Sequence, residues 1–183
     1  MEKDLDGMNN EELSKLFPVF IAEPDPAWSH LFKMEEEKIK ETLGKDIIIQ
    51  IDHIGSTAIP GMPAKPTIDI LIQVYEDIPD HQLVESLRSI GYYFIHRPDS
   101  PPPHMMFAKG YTPEGVKGQT YHLHIRYDDT HDEIIFRDYL VSHPNIARNY
   151  AELKYRLAQK YRYDRDAYTE AKTEFIKSIT GNP

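Results

Sequence analysis

The chain has 183 residues, 40% of them hydrophobic, a formal net charge of −9 and no cysteine. That length suits one compact unit with an appended helical part, and the lack of cysteine excludes a disulfide framework or a zinc–thiolate centre and fits a reducing cytoplasm. The acidic balance argues against extended nucleic-acid binding, which needs basic surface to neutralise phosphates, and no apolar run is long enough for a membrane span; a small anionic ligand needs only a local cluster of cations.

Residues 1–17 are polar and acidic, and predict a short helical lead over Glu11–Phe17. Val19–Ile21 reads as a short strand and Pro24–Pro26 as a turn. Trp28, Leu31, Phe32, Ile39 and Leu43 recur near helical spacing, so a helix is expected from Ala27 to Leu43, stopped by Gly44. Glu35, Glu36 and Glu37 read as its solvated face. Asp46–Ile51 and Thr67–Val74 read as strands on either side of a loop rich in Gly, Pro, Ser and Thr. A helix over Pro79–Ile90 and a strand over Tyr92–His96 follow, then a connection, Pro98–Pro103, too proline-rich to lie inside a sheet. Met105–Lys109 and Gln119–Tyr127 form an expected hairpin joined by the loop Gly110–Gly118. From Asp132 the pattern turns helical, with His143-Pro144 and Asp164 dividing it into three helices. The expected fold class is α+β, a mixed or antiparallel sheet with helices on one face and a helical C-terminal part. The expected divisions are a lead over 1–18, a sheet domain over 19–130 and a helical part over 131–183.

Strand alternation orients the polar residues of these segments, since successive side chains face opposite sides of a sheet. Ile68, Ile70, Ile72 and Val74 share one face; Thr67, Asp69, Leu71 and Gln73 share the other. A carboxylate inside such an apolar strand is costly unless it is used or paired, which singles out Asp69. His122, His124 and Arg126 likewise share one face of their strand, where paired imidazoles can act as acid and base or bind a cation. If the two strands are near neighbours, Asp69, His122 and His124 converge. Gly55 lets the backbone approach an anion closely, with Ser56 and Thr57 hydroxyls beside it, and His53 is placed to hold this loop's backbone. Tyr150 with Lys154, and Tyr168 with Lys172, are spaced to share helix faces.

The ordered motifs HIGSTAIPG (53–61), AKPTIDIL (64–71), YHLHI (121–125), FRDYL (136–140), the pair His143-Pro144 and AYTEAKTEF (167–175) resemble the GrpB-like family, from about Val19 to Ile179. That family has the fold of the nucleotidyltransferase superfamily. The resemblance implies a nucleotidyltransferase-like sheet, a Gly-Ser pair holding a nucleoside triphosphate, and a strand with two alternate carboxylates that bind magnesium. Gly55, Ser56 and Asp69 fall on those positions, but Leu71 stands where the second carboxylate belongs. The expected activity is nucleotidyl transfer to a small acceptor, with Asp69, His122 and His124 catalytic and also holding a divalent cation, magnesium or manganese. Phosphate contacts are expected from Gly55, Ser56, Thr57, Lys65, Arg126, Lys154 and Lys172. The alternative is a nucleotide-sensing or interaction domain that has lost one metal carboxylate. The sequence names neither the acceptor nor the oligomeric state.

Overall fold

The computed structural model describes residues 5, 8–95, 105–127 and 132–181; the expected proline-rich connection Pro98–Pro103 lies outside them. In chain order the elements are α1 (Asn10–Leu16), α2 (Ala27–Leu43), β1 (Ile48–Ile54), a short turn of helix (Ser56–Ala58), β2 (Thr67–Val74), α3 (Asp80–Ser89), β3 (Tyr93–Ile95), β4 (Met105–Thr112), β5 (Gly115–Arg126), α4 (Asp132–Ser142), α5 (Pro144–Lys160), α6 (Arg165–Glu170) and α7 (Thr173–Thr180). The five strands form one sheet in the order β1-β2-β5-β4-β3. Only β2 and β5 run parallel; every other pair is antiparallel, so the sheet is mixed.

The apolar parity of β2 builds the main core. Ile68, Ile70, Ile72 and Val74 are buried with Leu123, Ile125 and Phe107 of the neighbouring strands, and α2 and α3 cover this face with Trp28, Phe32, Ile39, Leu83 and Leu87. On the other side Ile59 and Met62 of the loop before β2 pack against Phe136, Leu140 and Tyr150 of α4 and α5. Val19 joins a third cluster with Ala158 and Tyr168. The helical part thus closes over the β1–β2 end of the sheet, on the face that carries Asp69.

Several expectations change in detail. Val19–Ile21 is not a strand; the segment makes a single bridge, Ala22 to Ala64. β1 continues through His53 to Ile54, beyond its expected end. The hairpin strands are longer and their turn tighter, because the register slips by a bulge between Lys109 and Tyr111 and pairing resumes at Tyr111 with Val116. The C-terminal part has four helices rather than three, since the chain breaks at Lys172 between α6 and α7.

Glu35 and Glu36 are buried, not solvated as their position in an acidic run suggests. Glu35 accepts a 2.6 Å bond from Lys109 of β4, and that ammonium also lies over the rings of Tyr92 and Tyr121. Glu36 is bridged by Lys33 and Lys40 of its own helix, each at 2.7 Å. Removing the cation from the first pair leaves a buried carboxylate without compensation, a loss of roughly 3–5 kcal/mol. Lys109→Ala is therefore expected to lower unfolding stability by about 3 kcal/mol in urea denaturation. Lys15→Ala, which removes only an exposed partner of Glu11, is expected to change it by less than about 0.5 kcal/mol.

Candidate functional site

The site grows from the parallel pairing of β2 with β5. Asp69 stands directly across from His122, and Leu71 across from His124. The His122 Nδ1 lies 3.3 Å from the Asp69 Oδ1. Its other nitrogen, Nε2, is 3.0 Å from the Tyr111 hydroxyl, whose ring stacks on the imidazole. With Asp69 ionised, the hydrogen-bond pattern assigns the His122 proton to Nδ1, so Nε2 accepts from tyrosine. Thr67 carries the chain of bonds onward, 3.4 Å from Tyr111 and 2.9 Å from Thr120. Burial alone would raise the Asp69 carboxyl, but the His122 hydrogen bond and the nearby His124 and Lys65 outweigh it and hold the group below its ordinary value. Burial lowers both histidines, His124 to about 4, so His124 is neutral at pH 7.

Gly55 connects this pair to the loop. Its φ is +70°, and a Cβ there would run into the Asp69 Oδ2, so only glycine lets the backbone pass this close to the carboxylate. The turn Ser56–Ala58 follows directly. Thr57 braces it from below: its hydroxyl donates to the Thr67 carbonyl at 3.3 Å and contacts the His53 Nε2 at 3.0 Å. His53 therefore holds a side chain of the loop rather than its backbone. Burial keeps His53 neutral, at about 4, and its ring stacks on Phe32. Arg137 of α4 donates to the His53 carbonyl at 2.9 Å and to Asp52 at 3.0 Å, joining the helical part to β1.

A cavity of about 1080 Å³ opens above the sheet, and Ser56, Lys65, Asp69, His122, Lys154 and Lys172 are among its lining residues. Four cations gather at its helical end. Lys154 is buried on α5, donating to the Pro63 carbonyl and lying 5.0 Å from the Tyr150 ring centre; Lys172 lies 4.3 Å from that of Tyr168. Burial lowers Lys65 and Lys154 to about 7, and lowers Lys172 as well. Arg165 is the fourth, placed over the Tyr111 ring at 5.5 Å.

Of the residues expected at the site, Gly55, Ser56, Lys65, Asp69, His122, His124, Lys154 and Lys172 meet around this cavity, and Thr57 lines it with its hydroxyl already engaged. Arg126 does not line it: its guanidinium turns to Glu133 of α4 at 3.1 Å. Tyr111 and Arg165 belong to the site and carry no motif in the sequence. Among the described residues no group of three or more His, Asp or Glu side chains is disposed to hold a metal ion. The expected three-ligand set explains why: Asp69 and His122 bond each other, and Tyr111 takes the remaining His122 nitrogen. Leu71, at the second carboxylate position, is 2% exposed and apolar. The donors present suit a cation only if a ligand brings most of the oxygens, with Asp69 as the protein's own.

The chain matches the GrpB protein family over residues 18–182. It is 42% identical over 158 residues to a UPF0157 protein of Pseudomonas aeruginosa, an alignment that covers 86% of this chain. It spans 64% and 44% of the length of the first two curated relatives. The crystal structure of the conserved protein GrpB from Enterococcus faecalis is similar with a TM-score of 0.75 at 33% identity, covering 88% of this chain and 95% of that one. The fold extends to Cid1 poly(U) polymerase bound to MgGTP, at a TM-score of 0.50 and 12% identity, over 83% of this chain and 46% of that one. No helix among the described residues is long and apolar enough to cross a membrane. With its nucleotidyltransferase-like sheet and a match over nearly its whole length, the chain belongs to the GrpB family.

Proposed function

We propose that the cavity binds a nucleoside triphosphate and that Asp69 and its partners support transfer of the nucleotidyl group to a small acceptor. The observation that carries this reading is the gathering of Lys65, Lys154, Lys172 and Arg165 around a cavity that also holds the Asp69 carboxylate beside the Ser56 turn, with Asp164 and Asp166 on its lining next to Arg165. Three lysines and an arginine match the charge of a triphosphate, and buried cations bind phosphate more strongly than exposed ones. Gly55 and Ser56 give the phosphates a backbone cradle and a hydroxyl. Asp69 would share a magnesium or manganese ion with the phosphate oxygens, where the cation offsets charge in the reacting group. Asp69, oriented by His122, receives the acceptor's proton; His124, neutral and on the cavity wall, offers a hydrogen bond to bound substrate.

Leu71 favours a second reading, a nucleotide sensor that binds without turnover. Titration with each nucleoside triphosphate in magnesium or manganese, followed by product analysis across small acceptors, separates the two. Diphosphate release supports the enzyme, and tight binding without it supports the sensor. Absence of nucleotide binding would falsify both.

Three variants and conditions test the geometry. Lys172→Ala is expected to weaken nucleotide binding about tenfold at low ionic strength, the scale of one lost charge-assisted bond, and less at high salt. An effect independent of salt removes Lys172 from the phosphates. Gly55→Ala forces a positive φ on alanine, costing about 1–2 kcal/mol, and displaces the Asp69 carboxylate. Its expected result is loss of nucleotide binding with the overall fold kept, read by calorimetry and circular dichroism.

The lysines give the pH dependence its sign. Free Lys65 and Lys154 lose their protons near pH 7, and a bound polyphosphate favours the charged ammonium. Binding should therefore take up protons above about pH 7, and affinity should fall as pH rises from there through the raised values of the bound lysines. Calorimetry in buffers of different ionisation enthalpy reads the uptake directly; Lys154→Met should reduce it.

A further inference from the structure

Of the four cations that gather at the cavity, three are already engaged by the protein. Lys154 is 2% exposed and donates to the Pro63 carbonyl, Lys172 lies 4.3 Å from the Tyr168 ring centre, and Arg165 lies over the Tyr111 ring at 5.5 Å. Lys65 lines the same cavity, and among the described residues its Nζ has no hydrogen-bond acceptor and no ring beneath it. Burial acts first against its proton, then the Arg165 charge; Asp69 opposes them and Lys172 adds to the repulsion. An amine set among like charges and shielded from water is the arrangement that turns a lysine into a nucleophile.

The chain presents this amine from an anchored backbone. Pro63 and Pro66 bracket the segment, and a proline directly after Lys65 disfavours helical backbone there. Ala64 exchanges two bonds with Ala22, at 2.8 and 3.1 Å, and the Lys65 carbonyl accepts from the Thr67 N–H at 2.7 Å. The Pro66 carbonyl accepts from the Gln119 side chain at 2.9 Å and from the Thr120 hydroxyl at 3.1 Å. Both neighbours of Lys65 are thus tied down, so its amine reaches into the cavity from a fixed Cα and loses less freedom on meeting a bound partner.

The charges that repel the Lys65 proton also suit an anion of limited size. A phosphate dianion between Lys172 and Arg165 is matched by two charges and returns little proton affinity to Lys65. A diphosphate or triphosphate brings surplus negative charge and protonates the amine. If the small phosphate is also a leaving group, the same two cations stabilise the charge that develops as it departs. An ester or thioester without phosphate offers them nothing to hold.

We propose that Lys65 is a site of covalent acylation by small acyl phosphates, with the phosphate held by Lys172 and Arg165 and the acyl carbon taken by the Lys65 Nζ. The lone pair of the neutral amine forms a bond to the carbonyl carbon. The bond from that carbon to the bridging oxygen breaks, and phosphate leaves with the electron pair and the amine proton. The products are an amide and hydrogen phosphate; no nucleotide or metal takes part. Because the amide carries no charge, the cavity loses one of its four cations and holds a polyphosphate less well.

The test incubates the full chain with acetyl phosphate near neutral pH and follows each lysine by peptide mass spectrometry. Lys65 is expected to be acetylated at least about tenfold faster than the exposed Lys38 and Lys117. Its rate should flatten once the pH passes its value of about 7, whereas an amine of ordinary basicity keeps gaining to about pH 10. With p-nitrophenyl acetate, an acyl donor without phosphate, the preference for Lys65 should be at least about tenfold smaller, the scale of one charge-assisted contact. Arg165→Gln should slow acetylation by acetyl phosphate more than by the ester, and Lys172→Ala should do the same if the first variant does not fold. Inorganic diphosphate should protect Lys65. Acetylation of Lys154 or Lys172 ahead of Lys65, a Lys65 rate no greater than those of Lys38 and Lys117, equal selectivity with the two donors, or no protection by diphosphate overturns the proposal. Nucleotide titration of the unmodified chain is read separately, so failure of the nucleotide reading leaves a different signature from failure of the acylation site.

Discussion

A carboxylate inside a sheet must be compensated, and the pairing of Asp69 with His122 across the β2–β5 parallel junction is where this chain does so. The rest of the site is arranged around that bond. Gly55 is a glycine because the carboxylate occupies the space a Cβ would need. His122 is fixed because Tyr111 holds its far nitrogen, and Tyr111 in turn is set against Thr67 at the start of Asp69's own strand. The bonds close into a loop over three adjacent strands. Moving β2 or β5 by a residue would separate the acid from its partner, and moving β4 would withdraw Tyr111, so the register of these three strands and the ionisation of the site are one constraint.

How much of this was legible in the sequence differs by element. Alternation in Thr67–Val74 and in Tyr121–Arg126 placed Asp69 and the two histidines on one face, because a regular strand obeys a period of two. It did not reach Tyr111, which the expected loop Gly110–Gly118 left outside the strand, and alternation would not have found it either. By simple alternation Tyr111 would share the side of Lys109, which faces α2; the bulge at Gly110 breaks the period and turns the tyrosine to the cleft. Gly110 sits at φ +88°, and a Cβ there would meet the Gln119 backbone, so a glycine inside a strand pattern was the available signal. The Glu35–Glu37 run misled in the opposite direction. Its charge suggested solvent, but the first two acids are buried because lysines from β4 and from the same helix reach them, a long-range pairing that no local pattern encodes.

Arg126 and Arg165 show how far side-chain direction outruns residue type. Both are arginines near the site in sequence terms, one directly after the histidine motif and the other at a helix start. Glu133 at the start of α4 captures Arg126, and the ring of Tyr111 receives Arg165. The motif therefore pointed to a guanidinium that turns away from the cavity, because α4 supplies an acid whose position depends on how the helical part docks. That docking is itself fixed by Arg137, which ties α4 to Asp52 and to the His53 carbonyl immediately before the Gly-Ser turn.

The balance of charge in the cavity follows from Leu71. A second acid on β2 would have faced the same side as Asp69, and its absence leaves Asp69 the one acid that β2 contributes to the cavity floor. Fewer acids mean less capacity to recruit cations from solution, so more of the phosphate charge has to be met by the chain itself. Lys65, Lys154 and Lys172 are positioned for that, but burial lowers the proton affinity of all three. Lys65 and Lys154, at about 7, are partly deprotonated at neutral pH, and a neighbouring anion favours their charged form. A site of this kind discriminates by charge density: a diphosphate or triphosphate restores the protons of several lysines together, whereas a monophosphate restores fewer and gains less from each. In the proposed nucleotide complex, buried lysines would link phosphate recognition to proton uptake, a property that a pair of acids holding magnesium would not confer.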